Sequence, residues 1–216
     1  IDGNTYDYLT FCNQDWTVTN AEMVTYRDGT PIPHVTNETQ WSELTTGAWC
    51  YYDNDPTKGK LYNWYAVMGI HDTDPSTPNK EFAPEGWHVP SDNEWTTLEN
   101  CLIAGGYNFD GTTTENKIAK SMASNTGWNT STQAGAVGND QSLNNSSGFN
   151  AFPVGYRFYN GLFASWGHEG DVAYFWGSTG GVVSGGDCRY LFNGGFKLSS
   201  EIINRRMGLI VRFVRD

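Results

Sequence analysis

Four cysteines, four histidines and two close pairs of aspartates are the residues of this chain with types suited to chemistry. Cys188 stands alone in the C-terminal part, and a lone thiol becomes a nucleophile only with a base beside it. His168 is the histidine near it in sequence; His34, His71 and His88 are distant, and no acid has a spacing that suggests a triad. Cys12, Cys50, Cys101 and Cys188 form no CxxC pair and no metal-ligand spacing. They read as free or buried thiols, or as a disulfide in an oxidising compartment. Asp53 and Asp55 in "DNDP", and Asp72 and Asp74 in "HDTDP", offer hard oxygen ligands without completing a calcium loop. Turn formation accounts for both pairs. No catalysis is therefore expected, and no cofactor beyond a structural calcium.

What remains is the chemistry of binding. Residues 180 to 207, "GGVVSGGDCRYLFNGGFKLSSEIINRRM", carry large apolar groups at Tyr190, Phe192, Phe196, Leu198, Ile202 and Ile203 with no burial period. Arg189, Arg205 and Arg206 add charge, and exposed rings and arginines are what binding hot spots favour. Packing of the same side chains into the core is the alternative. Arg189 and Arg212 fall in strand-like segments, where a structural role is expected. Phe158, Leu162, His168, Asp171 and Val172, in the irregular approach "RFYNGLFASWGHEGDVAYFW", could join the same face.

These residues need a frame. Charged residues are only 17% of the chain and aromatics 15%, a balance that favours loops pinned by rings over helical bundles. A net charge of −11 argues against nucleic acid as partner, because that binding neutralises phosphates with Lys and Arg. The sign is uneven: residues 1–180 hold 7 basic and 21 acidic side chains, residues 181–216 hold 6 and 3. No run of about 18 apolar residues exists, so no membrane insertion is expected. At 216 residues one domain, 1–216, is expected. Its start at Ile1 suggests the C-terminal part of a longer protein.

The clearest element is "GWHVPSDNEWTTLENCLIAGG", residues 86–106. Ser91 and Glu94 predict a capping box, Trp95, Leu98 and Leu102 share one face, and Gly105 and Gly106 end the helix. A second helix is predicted in "TENKIAKSMAS", where Ile118, Ala119, Met122 and Ala123 recur at helical spacing. "AYFWGST" and "GLIVRFVRD" read as strands, the latter with Val211 and Phe213 on one face. Residues 125–153, rich in Asn, Ser and Gly, read as a long surface loop.

In order along the chain, "NQDWTVTNAEMVTYRDGTPIP", "TTGAWCYYDND", "GKLYNWYAV", "APEGWHVPSDNEWTTLE", "SGFNAFPVGYR", "AYFWGST" and "GLIVRFVRD" resemble the Fibrobacter succinogenes major paralogous domain. The resemblance implies an α+β, C-type-lectin-like fold of the formylglycine-generating-enzyme variety, with two helices, small twisted antiparallel sheets and long loops. It also implies kinship with the variable proteins of diversity-generating retroelements in phages and gut bacteria. In those, a C-terminal region is rewritten while the scaffold stays fixed. Where the family has "FWSSTE", "AWYR" or "AYYR", and "GFSVR", this chain has "FWGSTGG", "GDCR" and "GLIVR". Formylglycine-generating enzymes use a pair of nearby C-terminal cysteines, and here Cys188 lies there alone.

The resemblance thus places a diversified ligand-binding face at about 158–207. Val182, Val183, Asp187, Cys188 and Met207 join the side chains already named as its variable positions, with Arg206 as its charge. The expected partner is a protein or glycan on a cell surface, the expected location extracellular, cell-surface or on a phage virion, with oligomer formation open. Two rival readings are a cell-surface or structural domain without diversification and a calcium-dependent carbohydrate lectin. The Glu-Pro-Asn, Gln-Pro-Asp and Trp-Asn-Asp signatures of such lectins are absent.

Overall fold

The computed structural model describes residues 2–163, 168–180 and 185–216, so Val182 and Val183 lie outside the described residues. Strands β1 (Tyr8–Phe11) and β2 (Gln14–Thr17) form a tight antiparallel hairpin. A short helix α1 (Glu38–Ser42) starts at Asn37, whose side-chain oxygen accepts from the Gln40 amide. Strands β3 (Trp49–Tyr51) and β4 (Lys60–Tyr62) pair around the expected turn at 53–59. Asp55 there bonds the backbone and hydroxyl of Thr57, as Asp74 does those of Ser76. Both aspartate pairs thus contain turn formers.

Helix α2 (Trp64–Val67) is a single turn capped by Asn63. After β5 (Trp87–His88) comes α3 (Asp92–Ala104), with the capping box of Ser91 and Glu94 in place and Trp95, Leu98 and Leu102 buried. The second predicted helix is shorter than its pattern, one turn at α4 (Ala119–Met122). Its apolar spacing served burial of Ile118, Ala119, Met122 and Ala123 in a chain that is otherwise loop.

Strands β6 (Val172–Gly180), β7 (Gly185–Phe192) and β8 (Ser199–Asn204) form an antiparallel sheet in that order. The expectation of an irregular stretch at 180–207 is corrected: half of it, β7 and β8, is regular strand. Their pattern was hidden because β7 is buried along most of its length, whereas β8 is largely exposed. Neither therefore alternates apolar with polar residues. The last strand, β9 (Val214–Arg215), pairs with β2 and β5 in a four-stranded sheet β1-β2-β9-β5. The architecture is α+β, with few helices and small antiparallel sheets.

Residues 208–214 tie the three sheets together. Tyr62 and Leu209 exchange both backbone hydrogen bonds, Ile210 bonds Tyr174 and Trp176, and Phe213 bonds Thr17. Every side chain from Leu209 to Val214 is buried, so this segment has no solvent face, and only its end is a strand. Around it the core is aromatic: Trp16, Trp95, Phe149 and Phe175 meet at centroid distances of 4.7 to 6.2 Å. Arg212 crosses this cluster, its guanidinium 5.0 Å from the Phe149 ring, and donates to Thr17 O, Asn20 Oδ1 and Asn150 O. Hydrogen bonds from each of its three nitrogens are what make this buried cation tolerable. Arg157 is held the same way, by the carbonyls of Gly161, Val35 and Thr36.

Cys12 and Cys101 form a disulfide that links the β1–β2 hairpin to α3, whereas Cys50 and Cys188 are free and buried. The long polar segment 125–153 is loop as expected. It is pinned from within, because the Lys120 ammonium is bound by Asp140 O and Asn144 Oδ1, and Phe149 is buried.

Candidate functional site

Strand register decides which C-terminal side chains share a surface, because alternate residues point to opposite faces. Tyr174 pairs with Tyr190, Trp176 with Cys188 and Val172 with Phe192; beyond them Tyr190 pairs with Ser199, Cys188 with Glu201 and Gly186 with Ile203. These residues form one face of the β6-β7-β8 sheet. The opposite face carries Ala173, Phe175, Arg189 and Leu191 and is buried toward the core and α3.

At the middle of the first face the Tyr174 and Tyr190 rings stack, with centroids 4.6 Å apart and planes inclined by 21°. Tyr156 meets Tyr174 edge-on at 5.3 Å, and Phe158 meets Tyr156 at 5.0 Å. Phe158 is carried by a small turn closed by its own amide on Leu162 O, which brings the exposed Leu162 beside it. The Tyr174 hydroxyl donates to Glu201 Oε1 at 2.7 Å. Burial, with the Glu201 charge adding to it, pushes the Tyr174 hydroxyl far above its ordinary range, so it remains a neutral donor. The result is a half-buried cluster of four rings with a carboxylate on its rim.

Of the expected site residues, Phe158, Tyr190 and the exposed Phe192 lie on this face, with Ile203 and Met207 half-buried near one end. His168 is exposed, and Asp171 is held by Asn129 Nδ2 at 2.7 Å. Ile202, 61% exposed, points the other way from the edge strand β8. Phe196 packs edge-on against Phe109, away from the tyrosines. Arg206 is half-buried and donates to Leu44 O, which fixes its head group.

Four expected contact residues are corrected to the interior: Val172, Asp187, Cys188 and Leu198 are buried. Val172 and Cys188 share the face of the tyrosines by register, but other side chains cover them there. Leu198 is fastened by Asn116, which bonds both its amide and its carbonyl. Asp187 lies on the core side of β7, and among the described residues no side chain donates a hydrogen bond to its carboxylate. Burial, reinforced by Asp92, pushes its carboxyl up to about 6. Arg189 and Arg212 are structural, as expected, the former through an ion pair to Asp92.

Tyr156, Tyr174 and Glu201 complete the patch, and the sequence reading did not single them out. Alternation within "AYFWGST" places Tyr174 and Trp176 on one face, and Tyr156 precedes Phe158 by two residues; those were the available signals. Glu201 had none, because its register depends on the pairing of β8.

Among the described residues the Cys188 thiol has one hydrogen-bond partner, the Glu201 carbonyl oxygen. Burial pushes this thiol well up, which disfavours the reactive thiolate. His88 is clamped between Glu94 and Asp216, and His34 stacks on Trp49. Among the described residues no three His, Cys, Asp or Glu side chains group as metal ligands do, and no helix is long and apolar enough to cross a membrane.

The family model described as Fibrobacter succinogenes major domain matches residues 10–215. No curated protein and no solved structure matches the chain.

Proposed function

The chain belongs to the Fibrobacter succinogenes major domain family, and we propose that it is a single, C-type-lectin-like, non-catalytic ligand-binding domain whose β6-β7-β8 face contacts a macromolecule on a cell surface. In this reading it is a variable protein of a diversity-generating retroelement, acting outside the cell or on a virion. One observation carries the proposal: the Tyr156, Phe158, Tyr174 and Tyr190 rings lie half-open on a sheet whose other side is anchored in an aromatic core. Clustered rings at a surface are the common anchors of protein recognition, and rigid backing lowers the ordering cost of binding. Substitutions on that face would leave the buried arginines and the 208–214 spine untouched.

The test replaces Phe158, Tyr190 and Phe192 with serine and measures binding to intact bacterial cells alongside thermal unfolding. Binding should be lost while the melting temperature falls by no more than a few degrees. Retained binding, or collapse of the fold, would overturn the proposal. Sequencing sibling copies from the same source tests diversification: changes should concentrate at Phe158, Tyr190 and Phe192 and spare Arg157, Arg189 and Arg212.

A further inference from the structure

We infer that Glu201 and the tyrosine rings beside it form a seat for a cationic side chain, a lysine or arginine presented by a partner protein. The inference rests on the reading of this face as a binding surface and adds the chemistry of what it takes.

Residues 181–216 contain six basic side chains, and each is engaged away from Glu201. Arg189 pairs with Asp92, and Arg215 with Asp15. Arg205 lies over the Trp64 ring at 4.5 Å, and Lys197 over Phe196 at 5.8 Å. Arg206 donates to Leu44 O, and Arg212 is buried among carbonyls. The positively charged groups of this segment thus have partners elsewhere, two of them carboxylates. Among the described residues no cation stands within 4.0 Å of Glu201, whose side chain is exposed.

Glu201 is also held against aromatic rings. Its Oε1 accepts the Tyr174 hydroxyl, which fixes the carboxylate beside the stacked pair Tyr174 and Tyr190. Ring faces carry negative quadrupole density and attract ammonium and guanidinium groups, the more so when partly desolvated. A fixed anion next to such rings supplies charge and an apolar wall together, which suits the alkyl stem and charged head of Lys or Arg. The body of the protein, at −11, steers cations toward it. A neutral glycan would use the rings but would gain little from the charge.

The experiment titrates the whole chain, with carbon-13-labelled aromatic rings, with acetyl-Gly-Lys-Gly-amide, its Gln counterpart and maltotriose. The lysine peptide should shift the Tyr174 and Tyr190 ring resonances saturably, and Glu201→Gln should weaken that binding by about fivefold. Equal response to the Lys and Gln peptides, or no effect of Glu201→Gln, overturns the inference. Ring shifts with maltotriose alone also overturn it, while leaving a binding face for glycans and so the proposed function. Loss of the proposed function is read separately, from undiminished cell binding after the serine substitutions at Phe158, Tyr190 and Phe192.

Discussion

The Asp92 carboxylate accepts a 2.6 Å hydrogen bond from the Arg189 guanidinium, whose side chain is only 5% exposed while that of Asp92 is 52% exposed. This bond fastens the first turn of α3 to the middle of β7, and its two ends are not equivalent. Removing Asp92 strands a buried cation, whereas removing Arg189 leaves a carboxylate that water can solvate. Asp92→Ala should destabilise the domain by about 2 kcal/mol, and Arg189→Met by clearly less. Urea unfolding at pH 5, where Asp187 is mostly protonated, measures both. The reverse order would show that Arg189 acts through packing alone.

The Cys12–Cys101 disulfide spans 89 residues of sequence, so reduction frees a long loop in the unfolded chain. Cys12→Ser with Cys101→Ser should lower stability by about 2–4 kcal/mol. The same logic of burial protects the other two thiols: Cys50 and Cys188 are buried, and burial pushes the Cys50 thiol up to about 11. A thiol-reactive chromogenic disulfide should find almost nothing to react with in the native domain and two thiols per chain in denaturant. Rapid labelling of native Cys188 would place it at the surface after all.

His88 joins the last residue to the first turn of α3, bonded through Nδ1 to Asp216 and through Nε2 to Glu94. Burial alone would lower its pKa, but the bonds to Asp216 and Glu94 outweigh that and raise it above its ordinary 6.5. A raised folded value means that the clamp's contribution is fully present below 6.5 and is lost as pH climbs through the folded pKa. Glu94 titrates in the other sense. Burial works to raise its pKa, the bonds from Ser91 and His88 prevail and hold it below 4.5, and its contribution fades as pH falls through the folded value. Wild type should therefore exceed His88→Gln in melting temperature most between about pH 4.5 and 6.5, with the gap narrowing toward pH 8. A gap that does not change with pH would rule out a protonated His88.

Local chemistry is what the sequence made legible. The capping box of Ser91 and Glu94, the turn aspartates Asp55 and Asp74, and the structural roles of Arg189 and Arg212 all follow from residues a few positions apart or from strand-like context. Long-range pairing was not legible. Whether Asp187, Cys188 or Tyr190 faces solvent depends on which neighbours β7 takes on each side, and a strand buried on both faces carries no alternation to read. Glu201 and Tyr174 are 27 positions apart and meet only because β7 lies between their strands. The aromatic abundance announced a ring-filled core, but not which rings would stay open.

Gly177 and Asp187 show how closely β6 and β7 are fitted on the core side. A Cβ built at Gly177 would stand 2.1 Å from Asp187 Oδ2, so the missing side chain makes the room that the carboxyl occupies. Gly177→Ala should cost about 1–3 kcal/mol, and most of that cost should vanish in an Asp187→Ala background, as expected for residues competing for one volume. The carboxyl itself is a second handle. Burial first, then the charge of Asp92, raises it from 3.8 to about 6, so the folded state keeps its proton after the unfolded chain has lost one. Its contribution is full below 3.8 and is lost as pH rises through 6, so Asp187→Asn should gain on wild type across that interval. Melting temperatures of the two proteins from pH 3.5 to 7 decide it. Parallel curves would mean that Asp187 is ionised throughout and solvated by a partner the buried position does not suggest.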